Sequence, residues 1–197
     1  MFVPLHDSTP LKVIRFHVVT VTIIALNVAM YLTTGAFNSE AVLDQIASGW
    51  GVVPGELTHM AASVLNYDPV PDPFTLISYM FLHAGWWHLI SNMLFLWVFA
   101  DNIEDAYGHL SFALLYLTAG VVAALLYIAL SPASRVPLVG ASGAVSGVLG
   151  AYVVLFPRAR VWILLFLRIP MRIGALWVLG GWFLLQIFSW WMDRGNP

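Results

Sequence analysis

The stretch Gly140-Ala141-Ser142-Gly143-Ala144-Val145-Ser146-Gly147-Val148-Leu149-Gly150 decides how this chain is read. A glycine-rich turn runs into an apolar helical pattern, and a serine stands at the junction. From Ser142 to Pro157, which should end the helix, there are 15 residues. They rise about 22 Å at 1.5 Å per residue, against a hydrocarbon core of about 30 Å. If the far end of this helix sits at one membrane interface, Ser142 begins below the other. Residues 131–141 must then dip into the membrane, where irregular backbone survives only inside protein or against a wet cavity. The expectation is a serine on the floor of a water-filled pocket. A serine hydroxyl is a weak nucleophile without a base, usually a histidine. All six histidines (His6, His17, His59, His83, His88 and His109) precede Ser142.

Composition explains why lipid enters the argument. The 197 residues are 60% hydrophobic and 9% charged, with a mean hydropathy of +0.85. That is more apolar surface than a soluble core of this size absorbs. We read one all-α membrane domain over residues 1–197, with apolar spans at about 16–32, 85–100, 110–130, 142–156 and 173–190. A net charge of −2 with no basic patch excludes nucleic acid as a partner. The absence of cysteine excludes disulfides and thiol chemistry. The first apolar stretch is too long for a signal core and lacks a small-x-small cleavage site, so it reads as a retained span.

Lys12, Arg15, Arg158, Arg160, Arg168 and Arg172 fall on one side of these spans and Arg135 and Arg194 on the other. The lysine and arginine bias makes residues 1–15 a cytoplasmic amino terminus, residues 33–75 a long outer loop and residues 191–197 an outer tail. The long loop carries Glu40, Asp44, Glu56, Asp68 and Asp72, and a connection of that length is usually functional or partly structured. Residues 40–48 suit a short amphipathic helix in the membrane interface, or a packed loop with no task. The expected setting is a bacterial inner membrane.

A second polar element is His83-Ala84-Gly85-Trp86-Trp87-His88-Leu89-Ile90-Ser91-Asn92. His88 and Asn92 are four apart, share a helix face, and are suited to stabilising an oxyanion. Interhelical hydrogen bonding for stability alone explains them equally well. A proton or ion pathway would need an intramembrane carboxylate beside them. No metal is expected, because His83 and His88 are five apart with no acidic residue nearby, and no cofactor is expected. Gly143, Gly147 and Gly150, with Ser146, form a small-residue stripe that permits close helix contact, and Gly-x-Ser-Gly is also explained as its beginning.

Together these elements resemble the rhomboid intramembrane serine proteases: Gly140-Ala141-Ser142-Gly143 with Gly147 and Gly150, His83-x4-His88-x3-Asn92, Gly51-Val52-Val53-Pro54 in the long loop, and Glu104 after the second span. The resemblance implies a six-span helical core, a serine–histidine dyad and cleavage of membrane-anchored proteins near the outer face. By it Ser142 is the nucleophile, His88, Asn92 and the Ser142 amide form the oxyanion hole, and His83, Glu104 and the glycines are structural. The family's base lies on a sixth span, in an Ala-His-x-x-Gly setting packed on the glycine face of the fourth. This sequence carries five spans and ends where the loop to that span would begin. Ser146 replaces an aromatic residue frequent at that position. The 197-residue chain is therefore expected to be inactive alone, with the Gly143/Gly147/Gly150 face covered by a further helix or partner. The alternative is an inactive rhomboid-like protein acting as a structural or substrate-binding subunit of a membrane complex.

Overall fold

The computed structural model describes residues 2–62, 69–165 and 168–194. Within them the order is β1 (Phe2–Asp7), α1 (Val18–Thr34), α2 (Glu40–Trp50), α3 (Pro54–Leu57), α4 (Asp72–Ser78), a 3-10 turn (Tyr79–Phe81), α5 (Trp86–Tyr107), α6 (His109–Leu130), α7 (Ser142–Leu155), β2 (Arg160–Leu165), β3 (Ile169–Gly174) and α8 (Ala175–Arg194). Each apolar segment read from the sequence becomes a helix: α1, α5, α6, α7 and α8. Helix α6 is by itself long and apolar enough to cross a membrane, and α1, α7 and Ala175–Phe188 are shorter apolar helices.

The ends shift for identifiable reasons. Helix α5 continues past residue 100 because Asn102, Ile103 and Glu104 are buried and pay no exposure of polar surface to lipid. Helix α7 stops at Leu155, two residues before Pro157, as the steric restriction ahead of a proline requires. The long connection is structured by α2, α3 and α4; residues 63–68, with Asp68, lie outside the described residues. So do residues 195–197 of the expected tail, while α8 runs on to Arg194.

An all-α chain was expected, and that is corrected by a three-stranded antiparallel sheet in the order β1-β2-β3. Its signal is the alternation in β2, where Arg160 and Trp162 are exposed and Val161 and Ile163 buried. That two-residue period sits inside what looked like an arginine-marked loop. Cross-strand register places His6 opposite Trp162 and Trp162 opposite Arg172. Both edge strands carry a proline, Pro4 and Pro170, which cannot donate to a further strand. Residues 2–14 are accordingly no free tail. Beyond β1, the amides of Lys12, Val13 and Ile14 all donate to the Asp105 carboxylate at 2.6–2.8 Å.

Glu104 holds the bundle at the same end. No side chain of α1 caps its own amino terminus. Instead the fully buried Glu104 accepts from the Val19 amide (3.0 Å), the Thr20 amide (2.8 Å) and the Thr20 hydroxyl (2.7 Å), and pairs with His109 Nδ1. A carboxylate there answers both the free amides and the positive end of the helix.

The small-residue stripe also needs correction. Helix α6 of this same chain covers Gly143 and Gly147: a methyl group added at Gly143 would come within 2.5 Å of the Ala123 Cβ, and one at Gly147 within 2.3 Å of the Ala119 Cβ. Alanines facing glycines let the two backbones approach closely, so the partner missing from the sequence argument was already in the chain. Gly150 alone of the three is exposed and meets nothing within 4 Å.

Candidate functional site

Ser142 opens α7 and is half-buried. As the first helical residue its amide has no intrahelical acceptor, and its hydroxyl bonds no described residue. Its carbonyl accepts from the Ser146 hydroxyl one turn on, at 2.8 Å. Two residues before it, Gly140 has φ +120°, a conformation that side-chain-bearing residues rarely adopt. The His88 ring lies against it: a Cβ on Gly140 would come within 2.5 Å of His88 Cε1 and 2.6 Å of Nε2. Glycine is needed there for its backbone and for the space the imidazole takes.

Three anchors fix the segment that delivers Ser142. The Gly140 amide donates to the Tyr79 carbonyl at 2.9 Å. The Tyr79 phenol donates to the Gly120 carbonyl on α6 at 2.7 Å, and Met80 fills the space beside Gly120. On the other flank, Val52 and Leu138 exchange two backbone hydrogen bonds, at 3.1 and 2.8 Å, and the Gly55 amide reaches the Ser134 carbonyl at 2.8 Å. Gly51 lets this happen, since a Cβ there would strike the Ala47 and Leu138 carbonyls. Gly51-Val52-Val53-Pro54 thus acts as a clamp on residues 131–141.

His88 and Asn92 stand in the first two turns of α5. The Asn92 amide nitrogen donates to the His88 carbonyl of its own helix at 2.9 Å, so the bond is not interhelical. Asn92 Oδ1 is buried without a partner among the described residues, as are both ring nitrogens of His83. The His83 ring packs edge-on to His88, centroids 5.0 Å apart. His83, His88 and Gly140 therefore meet around the start of α7, with Asn92 one turn from His88 on the same face. Glu104 is not part of this site: it lies 16 residues after His88, about 24 Å along α5. Gly147 is taken up by α6, and Gly150 faces an apolar groove of about 310 Å³ between α7 and α8, lined also by Ser146, Leu149, Leu179 and Gly180.

Sequence reasoning missed Tyr79 and Met80. Their only signal was position, directly ahead of His83. The His88 imidazole packs on Gly140, two residues before Ser142, and the Ser142 amide is free at the helix start; donors of these two kinds are suited to stabilising negative charge. No described residue accepts a hydrogen bond from the Ser142 hydroxyl.

A rhomboid domain family model matches residues 71–196. Rhomboid protein 1, mitochondrial, of Saccharomyces cerevisiae is 34% identical over 119 residues, 58% of this chain and 33% of the relative. Rhomboid-like protein 11, chloroplastic, of Arabidopsis thaliana is 39% identical over 85 residues, covering 43% and 30%. Rhomboid protease GluP of Bacillus subtilis is 41% identical over 85 residues, covering 42% and 16%. The matches span a third or less of these relatives. No solved structure matches. With the family model covering well over half of the sequence, this chain belongs to the rhomboid family of integral membrane proteins.

Proposed function

We propose that the chain carries the nucleophile half of a rhomboid-type intramembrane serine endopeptidase acting on membrane-anchored proteins. Ser142 attacks the scissile carbonyl, and His88, Asn92 and the Ser142 amide hold the oxyanion. The observation that carries this reading is the His88 imidazole seated on Gly140, two residues before Ser142. The base enters on a further helix in the apolar groove beside Ser146 and Gly150, where α7 is still open. In this reading α1, α5, α6, α7 and α8 all cross the membrane, the amino terminus and the sheet are cytoplasmic, and Ser142 opens to the outer side. The membrane is a bacterial inner membrane, although the relatives' names also point to mitochondrion and chloroplast.

The test is labelling by a serine-directed fluorophosphonate. The 197-residue chain should react slowly and leave a membrane-anchored reporter intact, because no described group accepts the serine proton. Fusing a sixth helix with a histidine facing Ser142 should produce labelling, and Ser142→Ala should abolish it. Strong labelling of the unextended chain would overturn the assignment of a missing base. A second reading, an inactive structural or substrate-binding subunit, draws on Ser146, whose small side chain offers an incoming imidazole little to pack on. It gains if the fused chain folds and stays unlabelled.

A further inference from the structure

The Tyr152 end of the bundle holds a cavity of about 410 Å³ between β1, the start of α1 and α5, lined by His6, Asp7, His17, Val21, Trp97 and Asp101 among others. Tyr152 is ten residues after Ser142, so this space is about 15 Å along α7 from the proposed nucleophile. Two carboxylates share it, and each is saturated on one oxygen only. Asp7 is 4% exposed; its Oδ2 accepts from the Tyr152 hydroxyl (2.5 Å), Asn102 Nδ2 (3.1 Å) and the Thr9 amide (3.3 Å). Asp101 Oδ1 accepts from the Asn102 amide (2.8 Å) and Asn102 Nδ2 (3.0 Å). No described residue bonds Asp7 Oδ1 or Asp101 Oδ2, and neither atom is sealed from solvent. Asn102 thus ties the two carboxylates together while leaving one oxygen of each for something else.

The walls narrow what that is. Two carboxylates held on the one Asn102 amide nitrogen repel. A cation relieves this. Among the described residues no three His, Asp or Glu side chains converge as a metal ion would require. An ammonium needs only two or three acceptors. The cavity is also larger than an ion needs, and its rim is apolar and open: Trp97 is 64% exposed and Val21 52%. Val21 stands in the first turn of α1 and Trp97 at the middle of α5, one turn before Asp101, so the apolar rim runs from the carboxylates toward the middle of that helix. His17 Nε2 is buried without a partner, and His6 stands on the same lining. Imidazole N–H groups beside paired carboxylates match a phosphate one ethylene unit from an ammonium.

We propose that this cavity binds the headgroup of an aminophospholipid, with the primary ammonium between Asp7 and Asp101 and the acyl chains leaving past Val21 and Trp97. A quaternary choline headgroup cannot donate the hydrogen bonds these oxygens accept, which gives a direct test. Native mass spectra of the full chain released from nanodiscs of equal phosphatidylethanolamine and phosphatidylcholine should retain the ethanolamine lipid about fivefold over the choline lipid. Asp101→Asn, on a part-exposed residue, should bring the ratio near unity while the unfolding temperature stays within a few degrees. Val21→Trp, filling the rim, should displace both lipids. Equal retention by the unaltered chain, or undiminished preference in Asp101→Asn, overturns the proposal. So does saturable binding of free ethanolamine with no lipid retained, which would make the ligand a soluble amine.

Discussion

The two ends of α5 differ in how far their polar groups are answered. At the Glu104 end carboxylates answer the backbone amides at the entry to α1, Glu104 serving Val19 and Thr20 and Asp105 serving Lys12, Val13 and Ile14, and of the side chains there His17 Nε2 is buried without a described partner. At the His88 end the buried nitrogens of His83 and the oxygen of Asn92 have no described partner. An unanswered buried polar group costs roughly 1–3 kcal/mol. Such a cost falls where function, not stability, decides the residue. On the proposed assignment, the Glu104 end holds the bundle and the His88 end acts.

The sharpest way to break this contrast is to remove Glu104. Glu104→Ala strands two amides and a hydroxyl in a buried site and should destabilise the protein by about 3–5 kcal/mol, read as thermal unfolding in detergent. A stable Glu104→Ala would show that α1 is held by its apolar face alone.

Next in size is the α6–α7 contact. Gly147→Leu must displace Ala119 and should cost about 2–3 kcal/mol, whereas Gly150→Leu, with nothing within 4 Å, should change stability by less than about 0.5 kcal/mol. Equal tolerance at both positions would separate α6 from α7.

These contrasts also mark what a sequence reader can see. The five helices were legible because each carries a long apolar run, and Ser142, His88 and Asn92 stood out because polar side chains are rare in such runs. The sheet was not, because β1 pairs with a strand about 160 residues away and the alternation in that strand, β2, lasts only four residues. The stripe was legible as a packing surface but not its partner: Ala119 and Ala123 look like any alanines until α6 and α7 are docked. Tyr79 and Val52 position the site through backbone atoms, which leave little trace in residue type.

The smallest effect belongs to the site itself. Ser142 is half-buried and its hydroxyl bonds no described residue, so Ser142→Ala removes one oxygen without stranding a partner. Its unfolding temperature should match the unaltered chain within the equivalent of about 0.5 kcal/mol. Asn92→Leu goes further: the side chain is 1% exposed, its one bond is to its own helix, and Leu has a similar volume. Trading a buried, half-unpartnered amide for a methyl-tipped chain should leave stability unchanged or raise it. A loss above about 2 kcal/mol in either variant would place these residues in the scaffold, and the division between a holding end and an acting end would fail.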